Sequence, residues 1–357
     1  MITNLDRQTR IVQIIQSISG ALSVIGSTII INMILRSKIK LKSTYRRYIF
    51  GMSVFDLFSS ITQTLSLVPI TSIQACNVQA LFTHLGFLVT PMYNGSLCIY
   101  YVLTVCFDKK DPWIRKKVEP FCHFISIFWN VGTGIFLWLD KSFNRAGANC
   151  WIAPYPRDCI LEPDIACERG PTAYKYRWWF IGYQSMCIFL IITVSMIMLV
   201  IKVHRQERRM RNRFSVFNPL RNSTNPDNNE HQPGTINRNQ HLSGPKKQMV
   251  KQATVYFLAY FIPFIFPTIF MIQLNKTGKR NFTSWILMAL FSPLQGFFNC
   301  IVFIRPRIAS MKNSSPNLSW AQAFFATITV RPKLSTDDGR SRSGIELESE
   351  RSRSEDI

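Results

Sequence analysis

Stretches of about twenty residues without a net run of charge recur along this chain, and they constrain its fold more than any motif does. Some 20 apolar residues in a helix cross the core of a bilayer. Lipid offers the backbone no hydrogen-bond partner, so every such stretch must be helical. Seven can be marked: Ile11–Leu35, Tyr48–Val68, Val78–Cys106, Phe121–Leu139, Trp178–Ile201, Ala253–Leu274 and Ser284–Ile304. Gly, Thr, Asn and His interrupt the third and fourth, and the third is overlong. Tyr174, Tyr176, Trp178, Trp179 and Trp285 stand at the rims, the depth that amphipathic rings favour. The reading is an all-α membrane protein, a seven-transmembrane helix bundle.

Composition agrees. Only 17% of residues are charged, against about a quarter in soluble domains. That argues against an ordinary soluble enzyme, a secreted disulfide scaffold or a disordered chain. The formal net charge of +22 raises nucleic-acid binding as a possibility, but the basic residues sit between the apolar stretches. Segment 36–47 holds six Lys or Arg, 107–120 five, 202–252 eleven and the tail from Arg305 nine. The alternate segments hold far fewer, and 69–77 has none. The positive-inside rule therefore places the N-terminus outside and the C-terminus in the cytosol, with no nucleic-acid partner required.

Residues 1–10 then form a short extracellular N-terminus, and the run after them is too long for a cleavable signal peptide. Residues 11–304 form the bundle, with 202–252 as a third cytosolic loop. Residues 305–357 form a cytosolic tail. Segments 212–245 and 332–357 are polar and lack apolar periodicity, so they are expected without fixed structure.

Asp56 is the one Asp, Glu, Lys or Arg inside any of the seven stretches. A charge at the membrane centre costs about 2.5–3.5 kcal/mol on insertion scales, so it should face the bundle interior and serve a function or bind an ion. Cys76, Cys150, Cys159 and Cys167 fall on the outer side, where disulfides persist. Four cysteines allow three pairings; Cys76–Cys150 with Cys159–Cys167 is favoured because the latter closes a short loop. Asn281 begins a glycosylation sequon in the last outer loop, and Asn275 begins another close to the membrane. Pro263 and Pro267 lie within the sixth stretch and mark a kink or hinge. His84 and His123 lack the companions of a metal site and read as interhelical polar contacts. No nucleotide loop, zinc-protease motif or nucleophile elbow occurs, so the chain is not read as an enzyme.

These features together resemble G-protein-coupled receptors. The segment Ser292–Arg307, SPLQGFFNCIVFIRPR, is similar to the last-helix ending of the cyclic-AMP-receptor-like branch in microbial eukaryotes. The Cys76–Gln79 run, Tyr93, Asn94 and Leu97–Tyr101 resemble that branch's third helix, and Cys150–Pro156, CWIAPYP, its second outer loop. The resemblance covers about residues 10–310. It implies that Asp56 is the acid of a sodium site, with Thr90 and Gln295 near further ligands. Asn299 and Phe303 match the Asn and Tyr of Asn-Pro-x-x-Tyr, with Cys300 in place of the Pro. Cys76 and Cys150 match the disulfide joining the third helix to the loop. The departures point to a divergent branch. The third stretch ends without Asp-Arg-Tyr, leaving Asp108-Lys109-Lys110 as a loose substitute. The sixth lacks the Cys-Trp-x-Pro tryptophan, and the first has Gly26-Ser27 where Gly-Asn is usual. No lysine lies in the seventh stretch, so it offers no amine for a retinal Schiff base.

What the resemblance implies is a multi-pass plasma-membrane receptor that passes binding of an extracellular ligand to a cytosolic heterotrimeric G protein. A bound sodium ion is the one cofactor it suggests. Membrane lipids would meet the basic segments Lys202–Arg213 and Lys246–Lys251. Ser341, Ser343, Ser352 and Ser354, set among arginines, would suit kinases and arrestin-type regulators. The competing class is a small-solute transporter or ion channel, which needs a polar path that one acid does not supply.

Overall fold

A computed structural model describes residues 4–68, 70, 72–156, 159–160, 164–221, 238–277, 281–315 and 317–329. All seven apolar stretches lie in helices. They are α1 (Asn4–Arg36), α2 (Thr44–Thr64), α3 (Ile73–Val105), α5 (Glu119–Leu139), α7 (Tyr183–Arg221), α8 (Arg238–Thr277) and the pair α9 (Phe282–Phe291) and α10 (Gln295–Ser314). Shorter helices are α4 (Asp111–Lys117), α6 (Ala173–Tyr176), which runs through a π-helical turn into α7, and α11 (Trp320–Thr329). Strands β1 (Phe143–Arg145) and β2 (Cys150–Ile152) form an antiparallel hairpin with Phe143 opposite Ile152.

Among the described residues, five helical runs are long and apolar enough to cross a membrane: 6–36, 119–139, 173–206, 254–274 and 282–314. The chain is a helical membrane protein. α2 and α3 are more polar, and their positions explain why. α3 packs against α2, α5, α7, α8 and both strands, so protein rather than lipid surrounds most of it. A helix enclosed by protein has no need of an apolar stripe all round. Its Gln79, Thr83, His84, Thr90 and Asn94 are all buried. By contrast Phe121, Phe124, Phe128 and Leu139 of α5 point outward, as a lipid-facing surface requires.

Small residues set the helix spacing. A Cβ on Gly86 of α3 would lie 2.0 Å from the Ser59 Cβ of α2. One on Gly26 of α1 would lie 2.8 Å from the Gly296 carbonyl oxygen of α10. Without side chains at these points the backbones approach closely, which is how helices gain packing energy in lipid. At the end opposite the hairpin, Arg47 of α2 grips both carboxylate oxygens of Glu119 at the start of α5. Thr44 donates to the same carboxylate at 2.9 Å, and His123 meets it at 3.3 Å. Tyr93 of α3 completes the cluster with a 2.8 Å hydroxyl contact to His123. His84 pairs with Thr133 of α5 at 3.1 Å, so both histidines make the interhelical contacts expected of them.

The sequence reading differs from the structure in three places. The seventh stretch is two helices, because Pro293 lacks the amide that would continue the ladder; a 3₁₀ turn, Ser292–Leu294, takes its place. Helix α10 runs to Ser314 and α11 follows, so the start of the expected tail is ordered by packing: Phe324 and Ile328 rest against the main core. α7 reaches Arg221 and α8 begins at Arg238, so both ends of the 212–245 segment are helical. Residues 222–237 and 330–357, with the four tail serines, lie outside the described residues, as does the Asn275 side chain.

Gly86→Ala should lower the unfolding free energy by about 1–3 kcal/mol through overpacking against Ser59. Gly132→Ala, where the new methyl meets nothing within 4 Å, should leave stability equal or higher by helix propensity. Thermal unfolding of both variants in one lipid or detergent system checks the contrast.

Candidate functional site

Asp56 sits midway along α2 and is 5% exposed. It faces inward, where α10 supplies its partner: the Asn299 Nδ2 donates to Asp56 Oδ2 at 2.9 Å. The Thr90 hydroxyl of α3 approaches the same carboxylate without closing a hydrogen bond of ordinary geometry. Pro91 follows Thr90 directly and deprives the Phe87 carbonyl of its helical amide. Gln295 lies one turn before Asn299 on α10 and is buried.

The break at Pro293 and the close approach of α1 position this side of the site. Ser23 of α1 accepts the Gly296 amide at 2.9 Å. A Cβ on Gly296 would collide with the Ser27 hydroxyl at 2.3 Å, so only glycine lets α10 settle there, with Asn299 turned toward Asp56 of α2. Ser53 adds a buried hydroxyl one turn before Asp56. The result is a layer of oxygen and amide groups enclosed by α1, α2, α3 and α10.

Several polar atoms in this layer have no protein partner: Ser27 Oγ, Ser53 Oγ, Thr90 Oγ1, Asn94 Nδ2, Gln295 Nε2 and Asn299 Oδ1. Buried groups of this kind normally find a partner, so such a concentration calls for a bound species. One carboxylate with neutral oxygens suits a hard cation or ordered water rather than a transition metal. Among the described residues, no cluster of three His, Cys, Asp or Glu offers a softer site.

The structure thus brings Asn299 and Thr90 to Asp56, and it buries Gln295 one turn before Asn299. It leaves Phe303 apart, packed in the main core with the Arg307 guanidinium 5.3 Å from its ring centroid. The sequence reading missed Ser23 and Ser53, and it named Ser27 and Asn94 without assigning them to the site. A signal existed: Ser19, Ser23 and Ser27 recur every fourth residue of α1 and are all buried. Asp108-Lys109-Lys110 lies beyond the end of α3. There Lys109 stacks 5.0 Å from the Trp113 ring centroid, so the charges belong to a connecting turn.

Pro263 and Pro267 are buried within α8, which stays helical through both. Each removes an amide, leaving the Ala259 and Pro263 carbonyls without helical partners. At the hairpin end, disulfides join Cys76 to Cys150 and Cys159 to Cys167, with Cα separations of 5.3 and 5.2 Å. Gln79 reinforces the first by accepting the Cys150 amide at 3.0 Å. Trp151 of the hairpin packs on Phe87, and Phe87 on Phe264 of α8. Asn281 is exposed and caps α9, accepting the Ser284 amide at 3.2 Å.

Cys76→Ala should free Cys150 for alkylation while Cys159 and Cys167 stay protected, at a stability cost of about 2–5 kcal/mol. Alkylation with mass spectrometry under non-reducing conditions, and thermal unfolding, check both parts.

No protein-family model matches the sequence, and no curated protein does. Among solved structures, the crystal structure of squid rhodopsin is similar over 90% of this chain and 88% of its own. The TM-score is 0.63 and the sequence identity 14%. At that identity the likeness is one of fold alone: the chain has a rhodopsin-like fold.

Proposed function

We propose that the chain is a cell-surface receptor with seven transmembrane helices. It would transmit binding of an extracellular ligand to a cytosolic heterotrimeric G protein. The observation that carries this reading is the polar layer around Asp56, placed between helices of a rhodopsin-like bundle. A single acid with unpaired oxygens across four helices is a point where two helix packings can differ in energy. A ligand shifts such a balance only through unequal affinity for the two packings.

The N-terminus and hairpin are assigned to the outside on the Lys and Arg distribution. The disulfide-tied hairpin then covers the outer mouth of the bundle, and Trp151, Phe87 and Phe264 run from it toward the prolines of α8. A ligand acting on this aromatic column would reach α8 beside Pro263, where the helix has lost an amide and bends most easily. Asn281 is a candidate for glycosylation on the same side. With no lysine along α9 or the membrane part of α10, this last helical run offers no amine for a retinal Schiff base. The resemblance to the cyclic-AMP-receptor-like branch is carried by Ser292–Arg307 and leaves the ligand open, since fold does not fix function.

A sodium ion is the occupant that the Asp56 layer fits. Asp56, Ser53, Thr90 and Asn299 are the residues that would hold it, and its charge would balance the carboxylate. Sodium chloride should then raise the unfolding midpoint more than isotonic potassium chloride does. At tenfold over its dissociation constant the gain is about 1.4 kcal/mol. Asp56→Asn should abolish the difference between the two salts. Equal effects of both salts on the wild-type protein remove the sodium site.

The receptor reading itself is tested by nucleotide exchange. Protein in lipid bilayers should stimulate GTPγS binding on at least one heterotrimer of a G-protein panel, with or without members of a ligand library. Silence on the whole panel, together with ion or solute flux in vesicles, would replace the receptor with a transporter.

A further inference from the structure

Resting on the receptor reading, the geometry points to a neutral latch at the end of the bundle opposite the hairpin. We propose that the paired hydroxyls of Tyr45 and Tyr256, with Gln252, hold the inner half of α8 closed. These three groups are uncharged.

The sequence excludes an ionic version from the α8 side. Neither α8, α9 nor α10 contains an Asp or Glu, so none of them can offer a carboxylate to a basic group. The charges after α3 lie in a turn, as described above. Among the described residues, hydrogen bonds between uncharged groups join α8 to α2 and α10 at this end. The Tyr45 and Tyr256 hydroxyls lie 3.2 Å apart and link α2 to α8. Gln252 Nε2, one turn earlier on α8, donates to the Val302 carbonyl of α10 at 2.9 Å.

The surroundings fix the pair. Tyr256 is 2% exposed, so its hydroxyl has little access to competing water. The Tyr45 ring packs at 6.5 and 6.2 Å from those of Tyr100 and Tyr101 on α3, which sets the direction of its hydroxyl. Tyr45 stands in the first turn of α2, two residues before Arg47, whose grip on Glu119 holds that turn against α5. One partner is therefore static. The other lies seven residues, about 10 Å, from Pro263, where α8 bends. A neutral buried hydrogen bond suits a latch that must open: its net worth is modest, and breaking it leaves no bare charge in the membrane.

The test uses the full chain in nanodiscs, with Tyr45→Phe, Tyr256→Phe, the double variant and Gln252→Leu. Tyr260→Phe serves as control, removing a hydroxyl from the same helix one turn on. Hydrogen exchange of peptides from the inner half of α8 is read beside ligand-free nucleotide exchange on the G-protein panel. Each single latch variant should speed α8 exchange by about two- to tenfold, the range expected for one net hydrogen bond. The double Tyr variant should not exceed the larger Tyr single, because both remove the same bond. The control should match wild type, and peptides of the hairpin should be unchanged throughout. Faster α8 exchange without any G-protein response supports the latch and counts against the receptor reading. Unchanged α8 exchange in Tyr45→Phe or Tyr256→Phe, or equal acceleration in Tyr260→Phe, overturns the latch whatever the G-protein result.

Discussion

A polar side chain in a bilayer has one low-energy place, between helices, where another polar group or a bound species meets it. Most of this bundle can be derived from that constraint. Apolar side chains such as Phe124 of α5 and Leu190 of α7 turn outward, and Ser27 of α1, Asp56 of α2, Asn94 of α3 and Asn299 of α10 turn inward. Because small polar residues occupy little volume, the helices carrying them also come closest. Ser59 faces Gly86, and Ser23 and Ser27 face Gly296. Close approach and polar burial are thus one feature with two effects. Tight backbone packing supplies the dispersion energy that lipid does not otherwise favour, and it brings Asn299 within bonding distance of Asp56.

Much of this was legible because the membrane simplifies the code. Length and lack of charge place the apolar helices, and the lone acid draws attention to α2 without any motif. Cys159 and Cys167, eight residues apart, show their own pairing by proximity. What escaped the sequence depends on tertiary contact. Pro293 looks like any proline in a membrane helix, yet a 3₁₀ turn interrupts the helix there while α8 continues through Pro263 and Pro267. Ser53 and Asn94 become part of the layer through a helix rotation that a small apolar bias leaves undetermined. The Arg47–Glu119 pair joins residues 72 positions apart, in segments that read as basic loops, where their attraction has no local signal.

α2 is the element against which the rest can be measured. It carries Arg47 toward α5, Tyr45 toward α8 and Asp56 toward α10. Gly86 sets it hard against α3, so its backbone has little room to shift. Its partners on the other side are built differently. α8 holds Pro263 and Pro267, and the α9–α10 run is broken at Pro293. A missing amide softens a helix at one point and leaves the halves on either side intact. α2 holds no proline, whereas missing amides occur at Pro91 of α3, at both prolines of α8 and in the turn before α10. Tyr45 and Asp56 are eleven residues apart on α2, about 16 Å along its axis, so the two fastenings to α8 and α10 lie at different depths. A change in packing at the Asp56 layer alters where α10 stands. Gln252 bonds to the α10 backbone at Val302, three residues past Asn299, so α8 shares that displacement directly. The coupling between depths needs no chain of charges. It needs one fixed helix, two jointed ones, and a hydrogen bond between the jointed pair.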